Sequence, residues 1–322
     1  MKKLTNKQMF IHLNIVVVSC IVALMFIIPV TLVRPLSVNE VSAMQTQTYE
    51  GLMIPIYLTH EQKAITLPIE DYVIGVVAAE MPAHFELEAL KAQAIAARTY
   101  LVHKLQISNN ILTNTVDDQV YITKEQMKEK WGIFDYRQNY KKISLAVYET
   151  RGIIATYHGQ PIDAMFFSTS NGYTEDSENY WQHKLPYLRS VSSPWDQNLS
   201  PKYHHQRTFS IPKFYDALGM KQKRDDLRII ISERYPSGRV KAANVNGQNY
   251  TGRQIREMLD LQSSDFTWEV NKNKVYIFTR GYGHGVGMSQ WGAQGMAKMG
   301  KTATEILKYY YRGINLESSE RI

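Results

Sequence analysis

Apolar residues at Ile69, Tyr72, Val73, Val76 and Val77 recur at intervals of three and four, the spacing of one buried helical face. Pro68 suits the first turn of such a helix, where its missing N–H costs nothing, and Glu70 and Asp71 sit favourably at its N-terminal dipole. Pro82 disfavours helical geometry at Met81, so the helix should stop there. A second stripe, Leu87, Leu90, Ala94, Ala97 and Leu101, predicts a helix from Leu87 to about Leu105, rich in Ala, Leu, Lys and Gln. Ahead of both, MIPIYLT and KAITL read as short strands around a polar turn at His60-Glu61-Gln62.

Residues 106–142 are polar and mixed, without a clear period. GIIATYHGQPIDAMFF then reads as a hairpin turning at His158-Gly159-Gln160, and residues 171–210 as loop. Further strands are expected at LRIIIS, and at TWEV and KVYIFT around Asn271-Lys272-Asn273, with a helix from Thr302 to Tyr311. Strands and helices do not alternate regularly, so the expected fold class is α+β, with short antiparallel strands in a mixed α/β region.

The first forty residues follow a different pattern. Lys2, Lys3 and Lys7 precede Ile15 to Val33, a stretch without charge whose helical length of about 28 Å approaches a bilayer core of about 30 Å. Val41-Ser42-Ala43 would serve as a signal-peptide cleavage site, but the apolar run is too long and the site too far beyond Arg34, so an N-terminal transmembrane helix is expected. The charge bias puts the N-terminus in the cytoplasm. The expected organisation is a tail and anchor over 1–34, a stalk over 35–50 and an extracytoplasmic domain over 51–322, in a single-pass protein of the cell membrane.

That division changes the charge. The whole chain is +7, but beyond residue 34 thirty-three basic residues face thirty acidic ones, mildly favourable to an anionic envelope polymer and too weak to argue for nucleic acid. The only cysteine, Cys20, lies in the proposed span, so the rest of the chain has no disulfide, no cysteine nucleophile and no thiolate metal site.

Glu80 stands at offset 11 from Ile69, within about 20° of it on a helix of 3.6 residues per turn. It therefore lies on the inward face, whereas Glu70 lies off it. Burial and a helix C-terminus both disfavour the ionised form and raise the pKa, as a general acid near neutral pH requires. The competing reading is structural: Arg98, at the edge of the second stripe, could pair with Glu80 and lower its pKa instead. The pattern leaves both open.

RGYGHGVGMSQWGAQGMA, residues 280–297, holds six glycines interleaved with Tyr282, His284, Ser289, Gln290 and Trp291. Glycines permit tight turns and close backbone approach, aromatic rings offer flat apolar faces, and His, Ser and Gln offer directional polar groups. The mixture suits a sugar; a plain turn between strand and helix is the alternative. GMAKMGKT, residues 295–302, matches a phosphate-loop pattern letter for letter but lacks a preceding strand. His204 and His205 are adjacent, and His158, His183 and His284 lack ligand spacing, so no metal site is expected. GxSxG is absent, which removes the usual serine hydrolase signature.

LPIEDYVIGVVAAEMPAHFELEALKAQAIAARTY, AMFFSTSNGYTEDSENYW and GYGHGVGMSQWGAQGMA, in that order, resemble the stage II sporulation protein D family, which shares a domain with amidase-enhancer proteins of the bacterial cell wall. The resemblance runs from about residue 52 to the C-terminus. It implies a peptidoglycan lytic transglycosylase of engulfment, needing no cofactor, with Glu80 of the AAEMP motif as catalytic acid. By the same resemblance Gln93, Arg98, Ser168, Tyr173, His284, Ser289, Gln290 and Trp291 would line the substrate site. The resemblance also implies zinc held through Cys and His near the middle motif in some relatives; STSNGYTED has no cysteine, so no such zinc is expected. The implied partners are glycan strands, the membrane through the N-terminal helix, a peptide-trimming wall hydrolase and a multi-span membrane protein.

A glycosidase that uses water needs two carboxyl groups. A transglycosylase can instead use the muramic acid's own C6 hydroxyl, which explains a solitary Glu80. Glu86, Glu88 or Asp163 as second carboxylate would make the protein a hydrolase, and a wall-binding amidase enhancer that cuts nothing is the third reading.

Overall fold

The computed structural model describes residues 51–319 apart from 109–110, 116–117, 182 and 222–226. The chain divides into Met1–Gln47 and Thr48–Ile322, and every described residue belongs to the second unit.

Strand β1 (Met53–Leu58) turns back into β2 (Lys63–Pro68) in register Met53↔Pro68 to Leu58↔Lys63. Ile54, Ile56 and Leu58 are buried while Met53 and Tyr57 are exposed, the alternation of a one-sided sheet. Pro68 ends β2 and is the N-cap of helix α1 (Ile69–Glu80). The expected stripe is buried in full, but Ile74, Gly75, Ala78 and Glu70 are buried too, so α1 is enclosed on more than one side. It stops as Pro82 demands, with Met81 extended at φ −116°, ψ 145°.

Helix α2 (Leu87–Ile107) is the central element of the first core. Its small residues Ala89, Ala92, Ala94, Ala96 and Ala97 are all buried, and the short side chains let several elements pack against it at once. After β3 (Leu112–Thr113), which pairs parallel with β1, comes helix α3 (Lys124–Tyr148). The polar segment expected over 106–142 is therefore mostly helix. Only Met127, Ile143, Ala146 and Val147 of α3 are buried, so there is no long apolar period to read, and Gly132 (φ 71°) kinks it. Thr123 and Gln126 form a capping box at its start.

Strands β4 (Ile153–Tyr157) and β5 (Gln160–Pro161) form the expected hairpin, with His158 and Gly159 both at positive φ as a two-residue turn requires. Strand β6 (Phe166–Phe167) leaves that hairpin to pair elsewhere. Residues 171–210 are only partly loop, holding helices α4 (Ser177–Trp181) and α5 (Asp196–Leu199) and the whole of β7 (His204–Ser210).

A second core follows. Helix α6 (Ile211–Ala217), strands β8 (Ile229–Arg234), β9 (Val240–Val245) and β10 (Gln248–Thr251), helix α7 (Gly252–Met258), and strands β11 (Phe266–Asn271) and β12 (Lys274–Arg280) enclose Phe214, Val245, Ile255, Phe266 and Ile277. They form two antiparallel three-stranded sheets, β10-β9-β8 and β11-β12-β7. The chain then returns to the first core through β13 (Met288–Ser289), helices α8 (Gln290–Lys298) and α9 (Ala303–Tyr310), and β14 (Asn315–Ser318). β13 pairs parallel with β6, β14 pairs with β4, and α8 and α9 both pack on α2.

The expected fold class needs one correction. The described region is mixed α/β, but no described helix is long and apolar enough to cross a membrane. The long helices α2 and α3 both carry charged residues along their length. The stretch Ile15 to Val33 and the stalk lie outside the described residues, so the transmembrane helix drops out of the fold.

Candidate active site

Glu80 is the last residue of α1 and opens into a cleft of about 890 Å³. One wall is the turn that follows it, from Met81 to Phe85; another is α8, through Gln290 and Trp291. The third is α3, which presents Lys130, Trp131, Asp135, Asn139 and Lys142, and Ser168 and Lys202 complete the rim.

Local structure explains why Glu80 faces that space. The C-terminal end of α1 leaves carbonyls without helical partners, and Lys130 of α3 donates to two of them, Ala78 O at 2.8 Å and Ala79 O at 3.2 Å. Gln290 Nε2 donates to Glu80 Oε2 at 3.1 Å. α8 also grips the next turn, where Glu86 N–H donates to Gln294 Oε1 at 2.7 Å and Trp291 meets Phe85 edge-on at 4.7 Å between centroids. The carboxyl is thus held by its own helix end, by α8 and by charges on α3 and on the loop after α5.

Burial raises the Glu80 pKa above the usual carboxylate range; the Gln290 hydrogen bond and the charges of Lys130 and Lys202 oppose the rise without cancelling it. Burial in turn lowers the pKa of Lys130. A rise of this kind favours the protonated form that a general acid needs.

Arg98 does not touch Glu80. It is fully buried (0% exposed) and grips Glu70, with Nε donating to Oε1 at 3.0 Å and Nη2 to Oε2, while Nη1 donates to Ile153 O at 3.1 Å. Glu70, expected to lie off the inward face, is 7% exposed and completes a pair buried on both sides. The choice left open by the pattern is thereby decided: the arginine belongs to Glu70 and leaves Glu80 free of it.

The other expected site residues divide. Gln290, Trp291 and Ser168 line the cleft with Glu80, and Trp291 N–H donates to Ser168 O at 3.1 Å. Gln93 is fully buried on α2, outside the cleft lining. Ser289 is buried and caps α8 at Gly292 N–H while donating to Asp196. Asp196 also accepts from Ser170 N–H and Ser193 Oγ at 2.7 Å each, and burial lifts its pKa to about 6 despite these donors. Tyr173 is exposed, away from the cleft.

His284 lines a separate cavity of about 310 Å³ with Tyr180 and Arg239. Its Nδ1 accepts from Val286 N–H at 3.1 Å, which leaves the proton on Nε2, 3.0 Å from Phe166 O. Burial pushes its pKa down to about 3, so it is neutral and serves as a clamp of the glycine loop. The loop itself needs its glycines: at Gly287 (φ 82°) an added Cβ would lie 1.9 Å from Met165 O.

Of the alternative second carboxylates, Glu88 is taken by Lys91 and by Ala303 N–H, and none of Glu86, Glu88 and Asp163 lines the cleft. Asp135 does line it, exposed on α3. Lys130, Lys202, Phe85 and the α3 wall were not expected from the sequence. Asp135, Gln138, Asn139 and Lys142 fall on one helical face beyond the Gly132 kink, a signal visible only once that segment is recognised as helix. Among the described residues no three of His, Cys, Asp and Glu cluster as metal ligands.

Fold and site together define a mixed α/β protein whose one half-buried acid faces an open, polar and aromatic cleft. Comparison with known proteins gives the family. The model of the family described as Stage II sporulation protein matches residues 57–157, which span α1, α2, α3 and β4. Stage II sporulation protein D of Bacillus amyloliquefaciens is 49% identical over 275 residues, 83% of this chain and 79% of its own. That of Bacillus subtilis (strain 168) is 43% identical over 331 residues, covering 95% and 96%. The amidase enhancer of the same strain is 28% identical over 297 residues, 76% of this chain and 40% of its own. The chain belongs to the stage II sporulation protein D family.

Proposed function

We propose that this protein is a peptidoglycan lytic transglycosylase of sporulation, cutting the bond between N-acetylmuramic acid and N-acetylglucosamine and leaving 1,6-anhydro ends. The observation that carries the reading is the environment of Glu80: buried enough to hold a proton, aimed by Gln290, and free of Arg98. Protonated Glu80 donates to the glycosidic oxygen as the bond breaks. The carboxylate left behind faces the oxocarbenium-like sugar and then removes the proton of the C6 hydroxyl as it closes on C1. No water is consumed, and one carboxyl serves both steps. Trp291, backed by the buried Phe85, supplies an apolar face for a sugar ring, and Gln138, Asn139 and Ser168 supply groups for its hydroxyls. The proposed setting is outside the cytoplasm, beside a wall hydrolase that trims stem peptides and a multi-span membrane protein.

The amidase-enhancer relative supports a second reading, a wall-binding partner that cleaves nothing. Digestion of purified glycan strands with the full chain, read by mass spectrometry, separates the cases. Ends lacking one water support the transglycosylase. Reducing ends mean a hydrolase, with Asp135 the carboxylate to examine. No cleavage, or equal cleavage by Glu80→Gln, sinks the assignment.

A further inference from the structure

We propose that Lys130 is a positioning residue of this site: by holding the end of α1 and laying an ammonium beside Glu80, it keeps the carboxyl able to give up its proton. The inference rests on Glu80 being the acid. Its geometry stands apart from any assumption about substrate.

Lys130 reaches from α3 to the last turn of α1 and donates to the carbonyls of Ala78 and Ala79, the two residues before Glu80. A helix C-terminus carries partial negative charge and disfavours an ionised carboxylate there. α1 brings no basic residue in its own last turn to offset this. The compensating cation comes instead from an element distant in sequence, its side chain exposed at the same cleft and tied down by the two carbonyls. Its charge and that of Lys202 act on Glu80 in the same sense, against burial.

The two lysines are held differently. Lys130 is fixed by two backbone carbonyls, whereas Lys202 rests over the ring of Tyr282 at 4.9 Å, an aromatic contact from the glycine loop. Lys130 is therefore the one tied to the position of the acid as well as to its charge. Other ionisable groups about the site are Asp135 and Lys142 on α3, His84 in the following turn and Tyr72 on α1 itself; Arg98 on α2 is occupied by Glu70.

The proposed chemistry gives this cation a reason. Glu80 must hold a proton to begin and must tolerate negative charge once it has given the proton away. Burial alone serves the first half and hinders the second. A fixed ammonium beside the carboxyl restores the second half while leaving the pKa above its ordinary value.

The test compares wild type with Lys130→Met, Lys130→Gln and Lys130→Arg in the full chain. Carbon-13 NMR of labelled glutamate follows the titration of Glu80, assigned as the signal missing from Glu80→Gln. Glycan cleavage against pH is measured in parallel. Loss of the cation disfavours the ionised form, so the Glu80 midpoint in Lys130→Met should rise above that of wild type. The alkaline limb of activity should rise with it. Lys130→Gln keeps an N–H donor for the carbonyls but no charge and should show the same rise; Lys130→Arg should return the midpoint to near wild type. A midpoint unmoved in folded Lys130→Gln, or one that Lys130→Arg does not restore, overturns the proposal. If Lys130→Met does not fold, Lys130→Gln and Lys130→Arg decide it. If the midpoint moves as stated while wild type cuts no glycan, the positioning role stands and the transglycosylase reading fails. If wild type leaves 1,6-anhydro ends while the midpoint does not move, the transglycosylase reading stands and the positioning role fails.

Discussion

Arg98 stands in the core, and its removal should damage the fold and leave the cleft intact. Arg98→Met keeps much of the apolar volume but removes the guanidinium that satisfies both oxygens of Glu70 and donates to Ile153 O. Glu70, 7% exposed, then has no cation beside it. Breaking a buried ion pair on one side costs about 3–5 kcal/mol. That is a large part of a domain's total of about 5–15 kcal/mol. At roughly 2–4 °C per kcal/mol, the melting temperature should fall by about 6–20 °C. Glu70→Gln should also destabilise. The double variant should lose less than the two single losses combined, with a coupling above about 1 kcal/mol, because each single change strands the partner the other removes. Thermal melts and urea titrations of the four proteins measure this. Glycan binding below the melting transition should match wild type. A melt within about 2 °C of wild type, or binding lost while stability is kept, would refute the reasoning and return Arg98 to the substrate.

Glu80→Gln should abolish glycan cleavage yet be at least as stable as wild type at neutral pH, because the amide carries no charge to desolvate; urea titrations at neutral pH check this. Asp196, like Glu80, has a raised folded pKa, so its favourable contribution is present below its unfolded value and is lost as pH rises through about 6. Unfolding free energy should therefore drop between about pH 4 and pH 7, and Asp196→Asn should flatten that drop in melts across the range. Gly287→Ala places a Cβ against Met165 O at positive φ and should cost well over about 1 kcal/mol, seen as a lowered urea midpoint. Phe134→Ser, at a side chain 97% exposed beyond the Gly132 kink, should stay within about 0.5 kcal/mol of wild type.

Elements that bury a regular stripe were legible. α1 could be read from Ile69 to Val77 and its end from Pro82, and the β1–β2 and β4–β5 hairpins from alternation and their turns. α3 was not, because a helix that lines a cleft and meets solvent has no long apolar period, and a mid-helix glycine breaks what remains. The burial of Glu70 was hidden for a related reason. A stripe of hydrophobes identifies one buried face, and α1 is enclosed on more than that face, where only a charge pair could satisfy a carboxylate.

What the sequence determined by itself was local: where α1 starts and stops, that Glu80 ends α1 on an inward face, and that the glycines from Gly281 to Gly287 form turns able to approach other chain closely. The order of the three motifs also sufficed to suggest the family. Only tertiary structure decided which partners those residues have. It joined Arg98 to Glu70 across 28 positions and Gln290 to Glu80 across 210, and it brought Lys130 against the end of α1. It also sent His284 to a different cavity from Gln290, six residues away. Charge and hydrogen bonding act through space, so the pKa of a carboxyl follows from its neighbours in the fold, which no periodicity along the chain encodes.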